Sequence, residues 1–197
     1  GTHNFAINRK SVNISGTREY DGTTNIAAAD ISTITDTVNS EVLAMSGGLG
    51  TTSSANVGAY NLTDTSQGTL ILANGPSGAN QGLASNYTLT GGTQDYTITQ
   101  RVLSSSGSKA YDANTNALAA DITLSNLVSG ETLNHSGTAS ISSANAASYT
   151  ITNLAGITLA DNAGLASNYT LTGGTHNFTV NPKVISLSGS RLYDATT

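Results

Sequence analysis

The chain has 197 residues and a net charge of −5, with charged side chains at only 10% of positions and no cysteine. This acidic balance excludes a basic face of the kind that binds nucleic acid. Without cysteine there are neither disulfides nor thiolate metal sites, so packing and strand pairing have to supply the stability. No apolar run approaches the length that crosses a bilayer, and we expect no membrane insertion.

Alternating apolar and polar residues predict strands at the start of the chain. Phe5 and Ile7 alternate with polar side chains, and a second alternating run follows Lys10. The same pattern returns around Arg101 and Lys183. A period of two is that of a strand with one buried face. We therefore predict two strands that meet at the basic residue in each of the three places, and we put the repeat boundaries there.

A Tyr-Asp signature follows each of these segments. It reads Gly-[Ser/Thr]-[Lys/Arg]-x-Tyr-Asp and occurs at 16–21, 107–112 and 189–194. An aspartate followed by small and hydroxyl residues predicts a turn, because its carboxylate accepts hydrogen bonds from backbone N–H groups ahead of it. We interpret the tyrosine as a core residue, since aromatic side chains supply much of the buried area of a small core. The signature residues are Tyr20, Asp21, Tyr111, Asp112, Tyr193 and Asp194.

The repeat bodies contain alanine-rich segments at 26–31 and 118–122. Each is too short for a stable helix without support, so it predicts a strand or a short turn. Further on, the first repeat carries an insertion where the second has only 161–163. Such a length change is typical of an exposed loop, which we take as the candidate binding loop. That loop consists of Asn74, Gly75, Pro76, Ser77, Gly78, Ala79, Asn80 and Gln81.

The segment 82–93 returns letter for letter at 164–175, which establishes an internal repeat. It adds two Asn-Tyr pairs to the structural signature, namely Asn86, Tyr87, Asn168 and Tyr169. The chain is predicted to contain the end of a preceding repeat at 1–9, repeat domains at 10–100 and 101–182, and the start of a third repeat at 183–197. It has the appearance of a piece of a longer array.

Short alternating segments separated by turn signals, with essentially no helix, predict an all-β chain. We expect tandem small antiparallel β-sandwiches of the immunoglobulin-like type, arranged as an elongated array. The alternative is a β-grasp unit in which the alanine segment forms the helix.

No arrangement of residues indicates catalysis, and we expect the chain not to be an enzyme. The sequence contains neither a Gly-x-Ser-x-Gly elbow nor a Gly-x-x-x-x-Gly-Lys phosphate loop. No pair of histidines has metal-ligand spacing, so we predict no zinc and no cofactor. Calcium stays open as an alternative because acidic residues dominate the repeat bodies, although they do not form the close Asp-x-Asp clusters of a loop site.

The Tyr-Asp signature and the Asn-Tyr-Thr-Leu-Thr-Gly-Gly-Thr-x-x-[Phe/Tyr] segment together resemble the YDG repeat family, which is close to the MBG repeats. Only Tyr20-Asp21-Gly22 carries the full triplet, whereas Ala113 and Ala195 replace the glycine in the other copies. Such repeats occur in tandem in very large bacterial surface proteins, including filamentous-haemagglutinin-like adhesins. The resemblance implies an extracellular location on the bacterial cell surface and supplies no catalytic residues.

Two functions follow from this resemblance. In the structural one, rigid domains in series project a distal adhesive tip and support cell adhesion or biofilm formation, and their partners are neighbouring repeats of the same long chain. In the binding one, each repeat itself holds a glycan, a matrix protein or the same repeat on another cell, through the 74–81 loop. The near-identical joints at 8–10, 99–101 and 181–183 favour the structural function, because they would set one geometry between neighbours.

Overall fold

The computed structural model describes residues 1–63, 66–151 and 153–195. It is all-β, and the described residues contain no α-helix. We call residues 10–99 the first unit and residues 101–181 the second unit. The strands of the first unit are β1 (Lys10–Ser11), β2 (Asn13–Glu19), β3 (Asn25–Ala27), β4 (Ile31–Thr35), β5 (Leu43–Gly47), β6 (Leu49–Thr51), β7 (Gly58–Asn61), β8 (Ile71–Asn74), β9 (Tyr87–Thr88) and β10 (Gln94–Thr99). The strands of the second unit are β11 (Arg101–Val102), β12 (Ser104–Ala110), β13 (Asn116–Leu118), β14 (Ile122–Ser125), β15 (Asn134–Ser140), β16 (Ala147–Thr150), β17 (Ile157–Ala160), β18 (Tyr169–Thr170) and β19 (His176–Asn181).

Each unit has a main sheet of four strands. The order is β4-β2-β10-β7 in the first unit and β14-β12-β19-β16 in the second. The two central strands, β2 with β10 and β12 with β19, run parallel, and the outer strands pair antiparallel. A parallel pair needs a long crossover connection, and here the rest of the unit supplies it. The main sheets are therefore mixed. The predicted antiparallel sheets are wrong in this respect, and the immunoglobulin-like sandwich is not confirmed.

The body of each unit adds a smaller sheet. In the second unit its order is β13-β15-β17. In the first unit the corresponding strands form two separate pairs, β3 with β6 and β5 with β8, and the pairing register shifts between Met45 and Gly47. In the second unit a buried apolar cluster contains residues of both the smaller and the main sheet: Ala117, Ala139, Ile157, Ile122, Phe178 and Val180. The two sheets of that unit therefore share one core.

The alanine segments form the end of a strand and a single 3-10 turn, at Ala28–Asp30 in the first unit and Ala119–Asp121 in the second. In the first unit the Asp30 carboxylate accepts hydrogen bonds from the Ala27 backbone N–H at 2.9 Å and from the buried Tyr96 hydroxyl at 3.0 Å. The prediction of a strand or short turn is confirmed here. The helix of the β-grasp alternative is wrong, because the turn is closed by its own aspartate after three residues.

Residues 1–9 and 182–195 belong to no strand of the structure. Phe5 and Ile7 are exposed, whereas their repeat equivalents Phe178 and Val180 are buried. The difference arises because β19 is paired on both sides, with β12 and β16, while residues 1–9 pair with no strand among the described residues. The strands predicted at Phe5 and after Lys183 are therefore not observed. Thr196 and Thr197 of the predicted third repeat lie outside the described residues.

Candidate functional site: the joint between the units

The two units share one apolar cluster. It includes Ile26, Leu62 and Ile98 from the first unit and Leu103 and Leu133 from the second, all buried. Tyr20, Tyr96 and Tyr169 belong to the same cluster. Units that share a continuous apolar core are held in contact, whereas domains joined only by a flexible linker are free to move. We call the contact region of the two units the joint.

At the joint, one carboxylate accepts a hydrogen bond from each unit. The Tyr20 hydroxyl donates to Glu131 Oε1 at 2.5 Å, and the Tyr169 hydroxyl donates to Glu131 Oε2 at 2.6 Å. The two rings meet edge to face, with centroids 5.5 Å apart and an interplanar angle of 82°, which is a favoured geometry for aromatic pairs. The Val128 backbone N–H donates to the Tyr169 hydroxyl at 3.1 Å. Tyr20 of the first signature is thus held by the second unit.

Asn168 makes a second set of hydrogen bonds across the joint. Its side chain is 1% exposed. Its Oδ1 accepts from the Val57 backbone N–H at 3.0 Å, and its Nδ2 donates to Asn56 Oδ1 at 3.0 Å. Asn86 has the same neighbours in sequence but is exposed. Identical twelve-residue segments therefore differ in environment, and the difference is the presence of a unit packed against them.

The basic residue at the boundary also contacts both units. The Arg101 guanidinium donates through Nη1 to the Tyr20 carbonyl at 3.3 Å and through Nη2 to Asn126 Oδ1 at 2.7 Å. It lies 3.7 Å from the Glu19 carboxylate. The Gln100 side chain donates to the Tyr169 carbonyl at 2.9 Å. The boundary residues are thereby part of the packed joint.

Burial and the neighbouring carboxylate determine the protonation of the two tyrosines. Burial raises the pKa of Tyr20 to about 12, and the hydrogen bond to Glu131 adds to the effect. The pKa of Tyr169 is also raised to about 12, first by burial and then by its hydrogen bond to Glu131. Both phenols are therefore neutral donors at neutral pH, which is the state that a carboxylate acceptor requires.

The three signature tyrosines have different exposures. Tyr20 is 4% exposed, Tyr111 is 39% exposed and Tyr193 is almost fully exposed. The prediction of a core tyrosine therefore describes Tyr20, but its burial involves the neighbouring unit rather than its own unit alone. In the first unit, Tyr87 donates to Glu41 at 2.5 Å and accepts from the Val38 N–H at 3.0 Å. Glu41 and Val38 thus contact Tyr87 as Glu131 and Val128 contact Tyr169. Among the described residues, no second tyrosine donates to Glu41.

Asp21 and Asp112 form the predicted turns. The Thr23 N–H donates to Asp21 Oδ1 at 2.8 Å, and the Asn114 N–H donates to Asp112 Oδ1 at 3.1 Å. Each aspartate also pairs with the basic residue three positions before it, as in the Lys109 pair at 3.0 Å and the Arg191–Asp194 pair at 3.3 Å. The hydrogen bond from Lys109 lowers the pKa of Asp112 below its usual value. These residues shape the turn.

The candidate binding loop at 74–81 is exposed over most of its length. It is held by its own contacts, because the Val42 N–H donates to the Asn80 carbonyl at 2.8 Å and the Gln81 amide donates to the Gly75 carbonyl at 2.9 Å. Beside it lies a shallow cavity of about 290 Å³ lined by Val42, Pro76, Gly78, Ala79 and Asn80. No charged side chain lines this cavity, and Asn80 is the one lining residue with a polar side chain.

A larger cavity of about 720 Å³ lies in the second unit beside His176. Both ring nitrogens of His176 are engaged, Nδ1 with the Ser105 hydroxyl at 2.9 Å and Nε2 with the Leu171 carbonyl at 2.8 Å. This histidine is therefore a satisfied buried residue.

In the described part of the chain, no group of three His, Asp or Glu side chains is placed to hold a metal ion. Across the same residues, no helix is long and apolar enough to span a membrane.

Sequence reasoning found Tyr20, Asn168 and Tyr169 but did not bring them together. It also did not assign Glu131 or Val128 to a site. The available signal was the recurrence of a glutamate at equivalent places in both repeats, Glu41 and Glu131. That recurrence could not show that a tyrosine far away in sequence would reach the second glutamate.

We predict that Asn168→Ala destabilises the joint by about 1–3 kcal/mol, because the substitution leaves the Val57 N–H without its acceptor in a buried place. The matched control is Asn86→Ala, which alters the same sequence at an exposed position and should change the free energy of unfolding by less than about 0.5 kcal/mol. Urea denaturation measures both values. Equal losses for the two variants would contradict the assignment of Asn168 to the joint.

We also predict that alkaline pH weakens the joint. Tyr20 ionises near its ordinary pKa of 10.0 when unfolded, but only near about 12 in the packed joint. The unfolded state then holds fewer protons than the folded state, so the stabilisation is complete below pH 10 and is lost as the pH rises through 12. Denaturation measured against pH should show a shallower alkaline loss for Tyr20→Phe than for the parent chain. Tyr111→Phe is the control at an exposed position, and a parent-like slope in Tyr20→Phe would refute the prediction.

The comparison with known proteins agrees with the repeat signature. The model of the YDG domain family matches residues 94–177. This range begins at the start of β10 and ends within β19, so it covers one repeat length and includes the signature at Tyr111-Asp112. Neither a curated protein nor a solved structure matches the chain. Residues 94–177 belong to the YDG domain family.

Proposed function

We propose that the chain is an extracellular structural repeat of a large bacterial surface adhesin. In this function the units pack in series and act as a stalk that carries an adhesive tip away from the cell, in support of adhesion or biofilm formation. The observation that carries the proposal is the apolar cluster shared by the two units. The partners are then neighbouring units of the same kind, and the chain has no enzymatic role.

The contacts at the joint support a fixed angle between the units. Apolar packing alone is non-directional. Hydrogen bonds are directional, and here the bonds of Glu131 and Asn168 connect side chains of the second unit to Tyr20 and Val57 of the first. A stalk with such joints gains stability from each unit and from each contact between neighbours. It also keeps its length, since bending at a joint would break these bonds.

The alternative is that a unit is itself a ligand-binding adhesive module. The exposed 74–81 loop and its shallow cavity favour this function in the first unit. The second unit has only three residues at this place, which fits a tolerated loop better than a site repeated along an array. The ligand would be a glycan, a matrix protein or a second copy of the unit.

A glycan array with the whole chain displayed multivalently tests the alternative, because clustering makes weak sites measurable. Replacing residues 74–81 by the short 161–163 segment is the matched variant. We expect no saturable binding by either chain if the units are stalk. Binding that the loop replacement abolishes would instead establish the adhesive module and overturn the proposal.

Limited trypsin digestion tests the stalk function directly. We predict that Arg101 resists cleavage in the native chain, since its guanidinium is bonded into the joint and its backbone runs through β11. Arg9 is exposed outside any strand and should be cut rapidly, which makes it the internal control. In urea both bonds should be cut at similar rates. Native cleavage at Arg101 as fast as at Arg9 would mean that the joint is open and that the units do not form a rigid stalk.

A further inference from the structure

The residue after each Tyr-Asp pair has a left-handed backbone conformation. The φ values are 78° at Gly22, 66° at Ala113 and 59° at Ala195. Glycine is the usual residue for such a φ because it has no Cβ. Ala113 nevertheless keeps the turn, since the Asn114 N–H donates to Asp112 Oδ1 as the Thr23 N–H donates to Asp21 Oδ1. The backbone conformation alone therefore does not account for the glycine at position 22.

Gly22 differs from the alanines in what lies against it. A Cβ built on Gly22 would be 2.9 Å from Val128 Cγ1, well inside the ordinary separation of about 3.5–4.0 Å between carbon atoms. Val128 belongs to the second unit, so the absence of a side chain at position 22 lets the two units approach. The close contact is a property of the joint and not of the turn.

Val128 is poorly placed to move away. Its backbone N–H donates to the Tyr169 hydroxyl, which in turn donates to Glu131. Its side chain is β-branched and therefore restricted in χ1. A methyl group at position 22 would have to displace Val128 and, with it, the donor that orients Tyr169. The effect would spread to the hydrogen bond between Tyr20 and Glu131.

We infer that the residue after Tyr-Asp determines which neighbouring unit fits. A Tyr-Asp-Gly end accepts a unit with valine at the position of Val128. A Tyr-Asp-Ala end, such as that at Ala113, requires a smaller residue at that position or a wider joint. The first unit has Val38 in the equivalent place, with its N–H on the Tyr87 hydroxyl, so its Val38–Glu41–Tyr87 surface fits a unit of this kind whose signature ends in glycine. This inference rests on the proposed function, in which the joints hold the units of the stalk in a fixed arrangement.

The test uses the whole chain and four variants: Gly22→Ala, Val128→Ala, the double variant Gly22→Ala/Val128→Ala, and Ala113→Gly. The readout is hydrogen exchange of the Val57 backbone amide, which is bonded across the joint to Asn168 Oδ1 at 3.0 Å. We expect Gly22→Ala to lower the protection of this amide by about tenfold or more through local opening. Val128→Ala should remove the clash, so that the double variant has the protection of Val128→Ala alone. Ala113→Gly is the matched control, because Ala113 is exposed and no further unit packs against it among the described residues, and it should leave Val57 unchanged.

Amides of β19 report on the folding of the second unit and should stay protected in every variant, since Ala113 shows that the turn tolerates alanine. Unchanged protection of Val57 in Gly22→Ala would overturn the inference. So would a double variant as poorly protected as Gly22→Ala, because the backbone conformation and not Val128 would then be the cause. Absence of protection at Val57 in the parent chain is a different result: it would show that the joint is open and would remove the proposed function itself.

Discussion

The structure depends on one carboxylate that accepts hydrogen bonds from two tyrosines of different units. Glu131 receives the Tyr20 hydroxyl from the first unit and the Tyr169 hydroxyl from its own unit. Glu131 is partly buried, and a carboxylate withdrawn from water is costly without partners, whereas one with two good donors is satisfied. Separating the units would leave Glu131 with one donor fewer and would expose the ring of Tyr20. The Tyr20 side chain therefore contributes both a hydrogen bond and a buried apolar ring to the contact, and both hold the two units together.

The parallel pairing of the first and last long strands explains why units can follow one another at such a joint. Because β2 and β10 run in the same direction, the chain leaves the first unit at the end where the Tyr20 signature lies. The next unit begins at once with β11, and only Gln100 separates the two strands. Close packing inside a unit also depends on a glycine: a Cβ at Gly107 would lie 2.3 Å from the Asp121 carbonyl oxygen. A connection of one residue allows little movement between β10 and β11. The direction of these strands therefore sets the orientation of neighbouring units.

The sequence predicted the local structure well and the pairing poorly. Alternation located β2, β10 and β19, and the Asp turn at Asp21 was recognisable because its hydrogen bonds are made within a few residues. Antiparallel pairing was the wrong expectation for β2 and β10, since side-chain alternation has the same period in both kinds of sheet. The strand expected at Phe5 was not observed, because a strand of this fold needs a partner that its own residues cannot supply. The joint partners Glu131 and Val128 were missed for the same reason: they act on residues about a hundred positions away.

What the sequence by itself determined is the repeat, its turns and its apolar periodicity, all of which depend on residues near each other in the chain. Asn86 and Asn168 show its limit, because identical segments of twelve residues contain an exposed side chain in one copy and a buried one in the other. Tyr20 and Tyr111 show the same limit at the opposite end of the unit. Only the tertiary structure decided which copy meets a neighbour, since burial is a property of what packs against a side chain and not of the residues beside it in sequence.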